Sequence, residues 1–193
     1  MVYFICAFEA EARALIEHYK LQKDQNQPYP LFSNEEMIIL ISGMGQENAK
    51  KAVDYLLLQY IPTRDDILIN LGICAAQEKF PIGSLLQVQS LRNESESFEL
   101  EIFDSALEKV SCFSSKQVLT RTQKTDIAEM EAITVYKVAS AFFAPSKIIF
   151  FKVVSDHFKP FKIKKQFIID LIRGHIKEID EHIKKIQGES DAR

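Results

Sequence analysis

The sequence predicts an α/β protein, a three-layer α/β/α sandwich around a central twisted, mostly parallel but mixed sheet. Short apolar runs rich in β-branched and aromatic residues alternate along the chain with segments of helical periodicity. These runs lack polar alternation, which is typical of strands buried on both faces. The length of 193 residues, with 47% apolar and 26% charged residues, fits one domain. We expect that domain to cover residues 1–187, followed by a flexible tail at 188–193.

The first half of the chain predicts two strand-helix units and a third strand. A strand at residues 2–8 precedes a helix at 9–19, where two glutamates occupy the first turn and favour the helix dipole. Residues 21–36 are polar and contain proline, so they predict a loop or a weak hairpin. A strand at 37–41 leads through a Gly-Met-Gly turn into a second helix. The apolar run at 67–71 predicts a strand that ends in a small-residue turn at 72–76.

The second half predicts three further strands, of which the first two, at 84–88 and 110–113, are separated by a solvated acidic loop at 92–101. Helical periodicity covers 126–142. A strand at 147–154 then ends in Ser155 and Asp156, and one long amphipathic helix is expected over 163–186.

Composition excludes several classes of function. The net charge of −3 gives no electrostatic reason to expect nucleic-acid binding, and no apolar run is long enough to cross a membrane. The apolar start is too short for a signal peptide, so a cytoplasmic location is expected. Three distant cysteines predict buried thiols in a reducing compartment. The four histidines show no metal-ligand spacing, so we expect neither a metal site nor a cofactor.

Acidic side chains fall just after the predicted strands or in a helix beside them. They are Glu11, Glu129 with Glu131, and Asp156. Each has an ordinary alternative: Glu11 suits a helix N-terminus, Asp156 can cap a turn, and Glu129 and Glu131 cannot share one face of a helix. Ligands of α/β sheets gather beyond the carboxyl ends of the strands, which is where these positions fall.

Five short motifs occur in a specific order: AFEAEA at 7–12, SGMGQENA at 42–49, NLG at 70–72, EMEA at 129–132 and VSD at 154–156. In this order they resemble the nucleoside phosphorylase / 5′-methylthioadenosine–S-adenosylhomocysteine nucleosidase family. The similarity runs over most of the chain, and EMEA and the Ser-Asp pair are its most specific parts.

The resemblance implies a role for each matched residue. Glu11 would activate water, Asp156 would bind or protonate the purine at N7, and Glu131 would hold the ribose hydroxyls. Met130 would pack against the ribose. The further substrate-binding positions implied by the motifs are Glu129, Ser155, Gly72 and Ile73. Cleavage of a glycosidic bond passes through an oxocarbenium-like state, which an acid and a carboxylate favour. The resemblance also implies a small-molecule nucleoside substrate and a homodimer.

The chain departs from the family at the pocket. Ile73 stands where the family has serine, and Cys74 to Gln77 replace a glycine-rich continuation. Val118 and Leu119 stand where an aromatic residue stacks on the base, and the loops at 92–101 and 120–125 are short. These changes predict a smaller or more open pocket.

Three functions remain open on the sequence alone. Phosphorylases of the family carry a phosphate-binding arginine after the first strand, where this chain has Phe8-Glu9-Ala10-Glu11; acidic groups there favour water as nucleophile. The first reading is therefore a hydrolase of purine nucleosides or thionucleosides. The alternatives are a catalytically degenerate nucleoside-binding or interaction protein, and a phosphorylase completed by an arginine from elsewhere.

Overall fold

A mixed β-sheet forms the centre of the protein in the computed structural model, which describes residues 1–102, 106–159 and 163–191. Its strands are β1 (Val2–Cys6), β2 (Gln22–Asp24), β3 (Leu31–Ser33), β4 (Met37–Ile41), β5 (Ile67–Ala76), β6 (Leu85–Arg92), β7 (Ser97–Glu99), β8 (Glu108–Ser114), β9 (Ile127–Glu129) and β10 (Ile148–Asp156). The helices are α1 (Glu9–His18), α2 (Gln46–Gln59), α3 (Ala132–Ala139), α4 (Lys165–Arg173) and α5 (Ile176–Asp191), and a short 3₁₀ turn covers Pro145–Lys147.

Part of the sheet closes on itself. β5 pairs with both β10 and β9, β10 pairs with β6, and β8 joins β6 to β9, so these strands form a ring. β1, β4, β3 and β2 extend from β5 as an open wing. Parallel pairings join β1 to β4 and β5, and β5 to β10, so the carboxyl ends of β1, β5 and β10 lie at one edge.

Helices cover the sheet on two sides and confirm the predicted three-layer α/β/α fold. On one side α2 and α3 pack together, and buried residues such as Leu56 and Ile133 belong to the first apolar core. On the other side α1, α4 and α5 enclose a second core that includes Leu15 and Ile179. Burial of each such side chain stabilises the fold by about 1.5–3 kcal/mol. No helix of the described residues is long and apolar enough to cross a membrane.

β5 is longer than predicted. Residues 72–76 are not a turn but continue the strand, because Gly72 pairs with Lys152 of β10 and Ala75 pairs with Ala128 of β9. The small residues that suggested a turn instead allow the strand to contact several neighbours closely. The expected solvated loop at 92–101 likewise contains β7, which pairs with the end of β6.

The predicted C-terminal helix is two helices. α4 ends at Arg173, with Gly174 as its C-cap residue, and His175 Nε2 lies 2.6 Å from the carbonyl oxygen of Gly83. The apolar period continues across this break because both helices pack on the same core, so the pattern gave no sign of it. α5 runs to Asp191, past the predicted domain boundary at 187, and residues 192–193 lie outside the described chain.

A β-bulge interrupts the end of β10. Val154 pairs with Cys74 and Asp156 pairs with the next residue, Ala75, so Ser155 is an extra residue between them. A bulge locally twists a strand and re-aims the side chains that follow it. Asp156 therefore leaves the strand in a direction that the regular alternation of β10 would not give.

Candidate functional site

A cavity of about 160 Å³ opens at the carboxyl ends of β1, β5, β9 and β10. It brings together residues that are distant in the sequence. Of the predicted site residues, those that line it are Glu11, Ile73, Glu129, Met130, Glu131, Ser155 and Asp156. Gly72, the remaining predicted residue, lies beneath the Glu11 carboxylate.

Glu11 is held rigidly in the wall of the cavity. It is the third residue of α1, and its Oε2 accepts the N–H of Phe8 at 2.9 Å, which helps to cap the helix. Its Oε1 accepts the N–H of Ile73 from β5, also at 2.9 Å. Burial raises the pKa of Glu11, and the hydrogen bonds from Ile73 and Phe8 oppose that rise. A buried, oriented carboxylate with a raised pKa is suited to accept a proton.

Gly72 allows this carboxylate to approach the strand. A Cβ atom at position 72 would lie 2.8 Å from Glu11 Oε1 and 3.3 Å from its carboxyl carbon. Any larger residue would therefore displace Glu11 or the backbone that binds it.

Gly72→Ala is expected to displace the Glu11 carboxylate and to lower any catalytic rate that depends on it by about 10²-fold, since misplacement by about 1 Å has effects of that size. The variant and wild type would be compared by turnover and by thermal unfolding. Gly188→Ala is a matched control, because a Cβ there meets nothing within 4 Å. Equal turnover in Gly72→Ala and wild type would show that the close packing under Glu11 is unimportant.

Glu129 and Glu131 do not lie on one helix, which corrects the predicted helix over 126–142. Residues 127–129 form β9, and α3 begins only at Ala132, with Glu131 as its N-cap residue. The rule that residues two apart on a helix point to different faces therefore does not apply to them, and both side chains line the cavity. Strand pairing with β8 and β5 overrides the local helical pattern here.

Glu131 reaches across the cavity to the loop before α2. Its Oε1 accepts the N–H of Gly45 at 2.6 Å. Gly43 and Gly45 have positive φ angles of 81° and 93°, which glycine adopts without strain, so the Gly-Met-Gly turn can present this N–H. Burial, together with the nearby charge of Glu129, raises the pKa of Glu131 to about 7, against the opposing charge of Lys152.

Lys152 is the functional candidate that the sequence analysis missed. It is 2% exposed in the middle of β10, and its Nζ lies 3.1 Å from Glu129 Oε2. Burial alone would lower its pKa, but the charges of Glu129, Glu131 and Glu11 raise it overall, so Lys152 is a cation beneath the acidic site. The available signal was a single lysine in the apolar run IIFFKVV, since a charge there must be paired.

Asp156 and Ser155 form the third side of the cavity. Asp156 Oδ1 accepts the N–H of Lys159 at 2.9 Å, and its Oδ2 lies 2.9 Å from the Ser155 hydroxyl. That hydroxyl is also 3.1 Å from the carbonyl oxygen of Cys74, so its single proton can be donated to either oxygen. These contacts fix the orientation of the Asp156 carboxyl group at the C-terminal end of β10.

The apolar part of the wall connects the site to two larger spaces. A cavity of about 580 Å³ shares Phe8, Ile73 and Ile163 with the first cavity. A third, of about 530 Å³, shares Ser155, Asp156 and Ile163. Ile73 therefore lines the boundary between spaces and leaves the first cavity open. The first cavity alone is smaller than most ligand pockets, which measure about 300–1,000 Å³, but the adjoining spaces extend it.

The cysteine thiols and the His182 imidazole are buried. Cys6, Cys74 and Cys112 are free and buried, and burial raises their pKa values, so these thiols are protonated and unreactive. His182 is buried beside Phe151. The described residues contain no group of three or more His, Cys, Asp or Glu side chains placed to hold a metal ion.

Solved structures of similar fold include nucleosidases. No protein-family model matches the sequence, and no curated protein is similar enough to match it. The 5′-methylthioadenosine/S-adenosylhomocysteine nucleosidase of Campylobacter jejuni superposes with a TM-score of 0.78 at 13% identity, over 95% of this chain and 98% of that chain. The 5′-methylthioadenosine nucleosidase of Arabidopsis thaliana gives 0.79 at 17% identity, over 97% and 96%. A Helicobacter pylori variant with 5′-methylthioadenosine in its active site gives 0.78 at 13%, over 95% and 98%.

The chain has the fold of these nucleosidases. The resemblance that the five motifs carried is therefore confirmed for the architecture, over nearly the whole length of both chains. At these identities the likeness concerns the fold, and the chemistry of the cavity depends on its own side chains.

Proposed function

We propose that this protein hydrolyses the N-glycosidic bond of a purine nucleoside or thionucleoside. The observation that carries the proposal is the convergence of three carboxylates, Glu11, Glu131 and Asp156, on one cavity. They come from α1, from the start of α3 and from the end of β10. Such an arrangement surrounds a sugar with acidic groups from several sides, as cleavage through an oxocarbenium-like state requires.

In the proposed mechanism, each carboxylate has a separate task. Glu11 accepts a proton from the attacking water, and its raised pKa makes it a stronger base than an exposed glutamate. Glu131 binds the ribose hydroxyls and faces the positive charge that develops on the sugar. Asp156 binds or protonates the purine at N7, so that the base leaves as a neutral species. Met130 packs against the ribose.

Water is the proposed nucleophile rather than phosphate. Glu11 is 2% exposed and Glu131 is 8% exposed, so both carboxylates face the cavity with little solvent to screen them. A phosphate dianion next to ionised carboxylates would be repelled strongly in such surroundings. Water has no charge and can donate a hydrogen bond to Glu11.

The proposed substrate class follows from the cavity and from the structural neighbours. The neighbours are named as nucleosidases of 5′-methylthioadenosine and S-adenosylhomocysteine. In this chain Phe8, Ile73 and Ile163 form an apolar boundary between the carboxylate cavity and the 580 Å³ space. An apolar substituent on the sugar, such as a thioether, suits that boundary better than a hydroxyl.

We further propose that the enzyme is a cytoplasmic homodimer, as the family resemblance implies. Phe8, Met44 and Val118 are exposed apolar side chains, and all three line the cavity. A partner subunit that covers them would remove apolar surface from water and narrow the opening. Light scattering after size-exclusion chromatography tests the dimer, and a monomer at micromolar concentration would refute it.

Base release from a panel of nucleosides tests the proposed reaction. We expect the protein to release adenine from 5′-methylthioadenosine or S-adenosylhomocysteine, or a purine from inosine, at the same rate with and without phosphate. Strict dependence on phosphate would favour a phosphorylase. Measurable binding without release would favour a nucleoside-binding protein in which the apolar Ile73 has replaced a polar contact.

A further inference from the structure

Helix α3 is capped by residues outside the helix and not by its own N-cap residue. Glu131 occupies the N-cap position, but its side chain makes no capping hydrogen bond. The N–H groups of Glu131 and Ala132 donate to Glu129 Oε2 at 2.9 and 2.8 Å, and that of Ile133 donates to Ser114 Oγ at 3.2 Å. β9 and β8 therefore supply the acceptors that a helix N-terminus needs.

The Glu129 carboxylate binds four donors inside the protein. Besides the two backbone N–H groups, it accepts the Ser114 hydroxyl at 2.7 Å and the Lys152 ammonium at 3.1 Å. Three of these donors bind Oε2 and one binds Oε1, so most of the hydrogen-bonding capacity of the carboxylate is committed within the protein. The side chains of Glu129 and Lys152 are each 2% exposed. Glu129 is therefore poorly placed to bind substrate, although it lines the cavity.

The Glu131 carboxylate, unlike that of Glu129, makes no hydrogen bond with the N-terminus of α3. Because Glu129 and Ser114 cap α3, the Glu131 carboxylate is free to leave its own helix and to bind the Gly45 N–H across the cavity. A glutamate at an N-cap would otherwise be attracted to the positive end of its helix. Lys152 compensates the charge of Glu129, so two neighbouring glutamates can be buried in one site.

We propose that Glu129, Ser114 and Lys152 are positioning residues, which cap α3 and neutralise one glutamate so that the next one, Glu131, faces the ligand. The proposal deepens the proposed function and rests on it only for the identity of the ligand that Glu131 meets. It makes Glu129 a support of the site, in place of the substrate contact that the sequence motif implied.

The first test is geometric and uses the ligand-free protein. In Glu129→Ala the cap is lost, and we expect Glu131 to turn back onto α3 and to release the Gly45 N–H. The Gly45 amide proton would then move upfield in the NMR spectrum, as it would in Glu131→Ala. A Gly45 amide that is unchanged in a folded Glu129→Ala protein would overturn the proposal.

The second test is electrostatic and uses isosteric variants. Glu129→Gln keeps the shape of the side chain, and its amide oxygen can still accept the two N–H groups and Lys152. Its NH₂ group can donate to Ser114 Oγ, which reverses that hydrogen bond and takes away the acceptor of the Ser114 proton. The substitution removes the charge that raises the pKa of Glu131, so we expect the titration midpoint of Glu131 to fall by about one unit. Lys152→Met removes the opposing charge, and the midpoint should rise by a similar amount. Lys152→Arg keeps the positive charge, so the titration midpoint of Glu131 should stay at the wild-type value.

Carboxyl-detected NMR of ¹³C-labelled protein measures these midpoints, with Glu131→Gln to assign the signal. No substrate is present, so the result is independent of whether base release occurs. If Lys152→Met fails to fold, Glu129→Gln and Lys152→Arg still decide the matter. A Glu131 midpoint that stays at the wild-type value in Glu129→Gln would reduce Glu129 to a purely structural residue and refute the electrostatic part of the proposal.

Discussion

Glu11→Gln is expected to lower the rate of base release by about 10²–10⁴-fold, the usual contribution of a general base. Gln has nearly the same shape, but its amide cannot take a proton from water at neutral pH. One of the two backbone N–H groups that Glu11 binds, from Phe8 or Ile73, would also face an NH₂ group. We expect this mismatch to cost about 1–3 kcal/mol of folding stability, so turnover is compared at a temperature where both proteins are folded.

Glu17→Gln is a suitable control, because Glu17 lies on the same helix and is exposed, with an ion pair to Arg173. Its turnover should match that of the wild type. The pH profile gives an independent check. A base must be ionised to act, so the raised pKa of Glu11 places the acidic limb of kcat/KM above pH 4.5, and the rate falls as pH drops through that limb. Full activity in Glu11→Gln would remove Glu11 from the mechanism.

Asp156→Asn is expected to reduce release of a purine by about 10²–10⁴-fold, since asparagine has no proton to transfer to the base. The loss should depend on the leaving group. A ribosyl substrate with an activated leaving group, such as 4-nitrophenyl riboside, needs little protonation, and the variant should hydrolyse it nearly as fast as the wild type does.

This dependence on the leaving group separates an acid from a residue that merely shapes the cavity. A misfolded or distorted site would slow both substrates equally, and that outcome would contradict the role of Asp156. Asp170→Asn serves as the matched control, because Asp170 is an exposed residue of α4 with an ion pair to Arg173.

Much of the fold could be predicted because its signals are local. Apolar runs marked β1, β4 and β10, and the helical period marked α1 and α2, since each pattern reflects which side chains are buried on that element. Where pairing with distant strands decides the structure, the sequence was misleading. β9 is a strand because β8 and β5 flank it, and the EMEA segment itself has a helical pattern.

The candidate site was predictable in part for the same reason. Glu11, Glu131 and Asp156 stand next to recognisable elements, and the structure brings them to one cavity. Lys152 and Ser114 lie inside strands, and their importance depends on contacts with Glu129 from another part of the chain. Contacts between distant parts of the chain are hard to predict from one sequence, and the only local signal here was the charge of Lys152 in an apolar run.

The bulge at Ser155 has a consequence for how this site tolerates change. Deletion of a single residue there would restore regular alternation in β10 and turn the Asp156 side chain toward a different side of the sheet. Substitutions around the opening alter contacts one at a time, whereas a shift of one residue in chain length would remove the acid from its place altogether. The residue count between Lys152 and Asp156 is therefore as important to this site as the identity of its carboxylates.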